Sequence, residues 1–102
     1  MTTVEFDPQP AEAYTALEKA GQVRLLDRID NALDLLEQAP GDAAARYRSF
    51  GDGLWGIQAR GADDDWLIVW ERDGVDDRVV VVRYLGTDPF ASHRAAANTA
   101  PG

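Results

Sequence analysis

Gly53-Leu-Trp-Gly-Ile-Gln-Ala-Arg60, Gly61-Ala-Asp-Asp-Asp65, Trp66-Leu-Ile-Val-Trp-Glu71, Arg72-Asp-Gly-Val-Asp-Asp77 and Arg78-Val-Val-Val-Val-Arg-Tyr-Leu-Gly86 follow one another in this chain, and their reading decides the fold. Three apolar runs are separated by two short clusters of Gly and Asp. β-branched and aromatic residues favour extended backbone, and Gly/Asp clusters close turns. The pattern predicts three sequential antiparallel strands over 54–60, 66–71 and 78–85, joined by hairpin loops. In the middle strand Trp66, Ile68 and Trp70 fall on one face, and Leu67 and Val69 on the other. Both faces are apolar, and the helices of so small a domain cover only one. The second face therefore needs a cover, either the C-terminal segment or a partner, and Val79–Val82 makes the same demand.

Upstream, Thr2–Phe6 alternates and reads as a short strand. Asp7-Pro8 has the form of an N-cap followed by proline at the first helical position, predicting a helix over Pro8–Lys19 with Tyr14 and Leu17 inward. Ala20-Gly21 ends it. Val23, Leu26, Ile29 or Leu33, and Leu36 recur at steps of three and four against Arg24, Asp27, Arg28, Asp30, Asp34 and Glu37, which predicts an amphipathic helix over Gln22–Gln38. Ala39-Pro40-Gly41 stops that helix. The tight joint makes the two helices an antiparallel hairpin. Asp42–Phe50 reads either as a helical turn or as the start of an extended segment. Thr87–Phe90 reads as a turn, Ala91–Ala97 as a short helix and 98–102 as a flexible tail, so 1–97 forms a single domain.

The chain has 102 residues, of which 45% are apolar, enough for one core. It has no cysteine, which excludes disulfides and thiolate metal sites. No run approaches the length of a membrane span, and the opening residues lack the basic-then-apolar order of a signal peptide, so a cytoplasmic protein is expected. The net charge is −8, which argues against general nucleic-acid binding. The acidity is concentrated in residues 1–45, with three basic against nine acidic groups; residues 46–102 carry seven arginines against nine acids.

The order strand, helix, helix, three strands resembles the RelE/ParE superfamily of bacterial type II toxins. Phe6-Asp7-Pro8 before an alanine-rich helix is similar to that family's opening, and Gly53-x-Trp55-x-Ile57 to its Gly-x-Tyr/Trp-x-Ile signature. Asp65-Trp66-Leu67-Ile68-Val69-Trp70-Glu71 resembles its Asp-Tyr-Arg-Ile-Ile-Tyr-Glu strand, and Arg78–Gly86 its closing valine-rich strand. The resemblance covers residues 4–90. It implies an α+β domain in which a short first strand and a helical hairpin pack on a small, mainly antiparallel sheet. It also implies a toxin-like component of a toxin–antitoxin pair, with a cognate antitoxin as partner. RNA-cleaving members act on messenger RNA in the ribosome by attack of a ribose 2′-hydroxyl on the adjacent phosphate. That chemistry needs a base, cations for the phosphorane charge and an acid, and it uses no metal or cofactor. Other members inhibit DNA gyrase without chemistry.

The sequence departs from the family where that chemistry would sit. Gly56 and Gln58 occupy positions that are commonly basic, Leu67 stands where the family has arginine, and Thr87-Asp88 replaces a basic loop. A substitute set would use Arg60, Arg83 and His93 as catalytic groups and Arg46, Arg48 and Arg94 as RNA contacts, with Tyr47 interleaved for stacking. The plainer readings are solvated or ion-paired arginines, a histidine in a polar tail, and cations at a helix C-terminus. Trp55, Trp66 and Trp70 read as core, and Asp63-Asp64-Asp65 as a solvated loop without metal. Two functions stay open: a metal-independent endoribonuclease toxin with a reduced active site, or a non-catalytic module of the same fold. The module would bind a partner or a second copy through Leu67 and Val69.

Overall fold

The computed structural model describes residues 2–60, 65–76 and 78–88. The elements are β1 (Thr3–Phe6), α1 (Pro8–Lys19), α2 (Val23–Gln38), β2 (Arg48–Gly51), β3 (Leu54–Arg60), β4 (Asp65–Arg72) and β5 (Val79–Thr87). They form an α+β domain with one five-stranded mixed sheet in the order β1-β5-β4-β3-β2. β1 lies parallel to β5, and every other neighbouring pair is antiparallel.

The helices cover one face of this sheet. Leu17 on α1 and Leu25, Ile29, Ala32 and Leu36 on α2 pack against Ile57, Ala59, Ile68, Trp70, Val80, Val82 and Leu85. The buried stripe on α2 therefore runs through Leu25, Ile29, Ala32 and Leu36. The expected leading residue, Val23, opens the helix and is 64% exposed. Spacings of four, three and four keep the observed stripe on one side of a 3.6-residue helix. Trp66, Ile68 and Trp70 face the helices, as their alternation predicts. The Trp70 indole N–H donates to the Ala45 carbonyl at 2.8 Å, so this fully buried ring also pins the segment after α2.

The last strand breaks strict alternation. Val69 pairs with Tyr84 and Trp70 with Val82, which leaves Arg83 as the extra residue of a β-bulge. The bulge resets the phase, so Val82 and Leu85, three apart, both point into the core. β5 also extends beyond β1. There the Gln9 side chain of α1 acts as a substitute strand: its amide nitrogen donates to the Leu85 carbonyl at 2.8 Å, and its oxygen accepts from the Leu85 N–H at 3.0 Å.

The ambiguous segment resolves into turns over 40–46 followed by β2. The expected helix over Ala91–Ala97 and the tail at 98–102 lie outside the described residues.

Candidate functional site

Three places on the sheet hold the residues that the sequence singles out. The first is the face turned away from the helices. Gly56, Gln58, Leu67 and Val69 lie there, as alternation requires. The chain itself covers part of this face. A Cβ at Gly56 would stand 2.8 Å from Phe50 Cε2 and 3.0 Å from Leu67 Cδ1, so the Phe50 ring lies directly over the Gly56 backbone against Leu67. A Cβ at Gly86 would meet the Tyr84 ring, with Cζ at 2.7 Å, so Tyr84 folds over Gly86 in the same manner. Leu67 is 2% exposed and Val69 half-buried. Leu67, expected as a partner-binding residue, is covered within the chain by groups that include Phe50 of the neighbouring segment. Asp88, fully buried just after β5, reaches Arg48 of β2 at 3.3 Å, although β4 and β3 lie between those strands.

The second place is the β5 bulge. Arg83 Nη1 lies 3.1 Å from both carboxylate oxygens of Asp7, and its Nε and Nη2 lie 2.8 and 2.6 Å from Glu71 Oε1. Hydrogen bonds to Glu71 and then to Asp7 raise the guanidinium pKa above its ordinary value. The cation is thus paired with two anions at the surface, and the cluster is net negative. Asp7 occupies the N-cap position of α1, but its side chain makes no capping hydrogen bond and serves Arg83 instead.

The third place is the far end of β3. Arg60 pairs across the strands with Asp65 at the start of β4, whereas Arg83 contacts Glu71 six positions further along β4. That is roughly 20 Å along the strand. Arg60 and Arg83 do not converge, and His93 and Arg94 lie outside the described residues. Arg60 lines an open groove of about 470 Å³ between α2 and β3, with Arg28, Leu35, Tyr47 and Ile57 among its walls. Arg46 does not reach this groove as a free cation. It lies 4.9 Å over the Trp55 ring and donates to the Pro40 carbonyl at 3.2 Å. Arg48 stacks at 5.8 Å from the Tyr47 ring centre and pairs with Asp88.

Among the described residues no group of histidine, cysteine or carboxylate side chains is arranged to hold a metal, and no helix is long and apolar enough to cross a membrane. The chain matches no protein-family model, and no curated protein or solved structure is significantly similar to it.

Sequence reasoning missed Phe50, Tyr84, Asp7 and Arg28 as parts of these places. Gly56 and Gly86 carried a signal for the first two, because glycine inside a strand often marks the close approach of another group. Nothing in the spacing joins Asp7 to Arg83, since the two are 76 positions apart.

Proposed function

We propose that this protein is a RelE/ParE-like, toxin-type component that works by binding another protein, with an antitoxin-like partner, and that it does not cut RNA. One observation carries this reading. The sheet face on which the resemblance implies cations for a phosphorane holds Phe50, Leu67 and Tyr84 packed over two glycines. The nearest arginine on β5 is already held by Asp7 and Glu71. Removing one preorganised donor from a phosphoryl or acyl site costs about 100- to 1000-fold in rate. Here several are replaced by apolar groups or neutralised. An acidic chain also gains no electrostatic steering toward a ribosome.

The test is induction of the protein alone in a bacterial host, with mapping of messenger-RNA 5′ ends. The expected result is intact messages, whether or not growth slows, and identical behaviour of Arg60→Ala, Arg83→Ala and His93→Ala. New 5′ ends that disappear in folded, expressed Arg60→Ala or Arg83→Ala would establish the endoribonuclease instead. That second reading draws support from the groove, where Arg28, Arg60 and the 51%-exposed Tyr47 stand together.

A further inference from the structure

The two sides of the sheet treat their free backbone differently. Where β5 outruns β1, the Gln9 amide satisfies both backbone groups of Leu85. Where β3 outruns β2, no described residue plays that part. The β2–β3 register ends at Arg48↔Gly56, and residues 57–60 have no strand partner on that side among the described residues. In an antiparallel strand alternate residues present both N–H and C=O to one side, so two of these four offer a full pair of hydrogen-bonding groups that no described residue uses. The groove runs along this edge. Its floor includes Leu35 and Ile57, and among the described lining residues the charged ones are Arg28 and Arg60, neither of which forms an ion pair among the described residues, although Asp65 stands opposite Arg60 and accepts from Gln58. The rest of the molecule is strongly acidic.

From this edge, floor and charge we infer that the groove between α2 and β3 binds an extended acidic peptide segment of a partner protein, which adds a sixth strand beside residues 57–60. Backbone hydrogen bonds supply the pairing, a β-branched side chain fills the apolar floor, and flanking carboxylates meet Arg28 and Arg60. A second copy of this chain suits the edge less well, because it would bring two sets of these arginines into one groove. Nucleic acid would use the cations but neither the strand edge nor the floor. The inference rests on the protein-binding reading above and names its surface.

The probe is a synthetic ten-residue peptide alternating valine and glutamate, titrated into the isotope-labelled protein. Matched titrations use the valine–lysine peptide and a single-stranded RNA oligonucleotide. The valine–glutamate peptide is expected to shift the amide resonances of 57–60 and slow their hydrogen exchange. It should bind about tenfold or more weakly to Arg28→Glu/Arg60→Glu, and the lysine peptide should bind the native protein more weakly by a similar factor. Both arginines are exposed, and Arg28→Gln/Arg60→Gln gives the same comparison should charge reversal impair folding. Absence of change at 57–60 at millimolar peptide, equal binding of both peptides, or tighter binding of RNA would overturn the inference. So would a dimer in sedimentation whose 57–60 amides are protected without peptide. A partner protein that stays bound to the double variant would overturn the groove while leaving the protein-binding reading intact.

Discussion

The two faces of the sheet are both covered, the inner more completely than the outer, and by different means. On the inner face, large side chains from two layers interlock: Trp70 and Ile68 against Ile29 and Leu36, all fully buried. On the outer face there is no second layer of regular structure among the described residues, and the rings of Phe50 and Tyr84 close against glycine backbone. An interlocked face draws its stability from volume. A glycine-and-ring face draws it from the absence of a Cβ. The same burial thus responds to different substitutions.

Trp70→Ala is the strongest test of the inner face. It removes the largest fully buried side chain and leaves the Ala45 carbonyl without its donor. A loss of about 3–5 kcal/mol is expected from denaturant midpoints. Leu67→Ala is its outer-face counterpart, and about 2–3 kcal/mol is expected because one aliphatic side chain is truncated and the Phe50 ring can settle into part of the space. A loss near zero for Leu67→Ala would show that the outer face contributes shape but no stability.

Gly56→Ala probes the glycine-and-ring arrangement itself. The new methyl would stand 2.8 Å from Phe50, and overpacking of this kind costs about 1–3 kcal/mol. In a Phe50→Ala background the cost should fall, and the double-mutant cycle should show coupling between the two sites. Additive effects would mean that Phe50 moves aside freely and that the outer cover is loose.

These contrasts also explain what the sequence made legible. Pro8–Lys19 and Leu54–Arg60 have their expected bounds, because proline, glycine and strict alternation mark the ends locally. The two-sided apolarity of β4 called for a cover from the C-terminal segment or a partner, whereas among the described residues Phe50 and Tyr84 lie on that face. The identity of that cover was not legible, since Phe50 belongs to a four-residue strand whose pairing is interrupted by a register shift. The parallel pairing of β1 with β5 joins opposite ends of the described chain, and no periodicity encodes it. Arg60 and Arg83 look equivalent as strand arginines. Both are exposed, and only the bulge and the distant Asp7 separate an ion-paired cation from one without an ion pair among the described residues.

Tyr14 gives a smaller effect with a definite pH dependence. Its hydroxyl donates to Asp30 Oδ1 at 2.7 Å between the helices, and that bond, with lesser contributions from burial and nearby carboxylates, raises its pKa to about 12. The neutral phenol is favoured in the folded state. Its stabilisation is therefore complete below the ordinary tyrosine pKa of about 10 and is lost as pH rises through about 12. For a half-exposed bond the effect is about 1 kcal/mol or less. Ultraviolet titration should show one late-ionising tyrosine that Tyr14→Phe removes. Ionisation of all tyrosines near pH 10 in the folded protein would mean that the helices are not joined by this bond.

Arg83 is expected to give the smallest effect on stability and none on function. Its partners are partly exposed, so salt screens them, and Arg83→Met should change the melting temperature less than Gly56→Ala does. Any difference should shrink as ionic strength rises. A cation used in catalysis would behave otherwise: Arg83→Met would leave stability alone and abolish the growth phenotype. With Asp7 and Glu71 already paired to a guanidinium that stays 40% exposed, the phenotype should survive the substitution. The two carboxylates left behind would repel each other, so Asp7→Asn in the Arg83→Met background should recover part of the lost stability. Failure of that rescue would mean that Arg83 is held in place by backbone geometry at the bulge, and not by its anions.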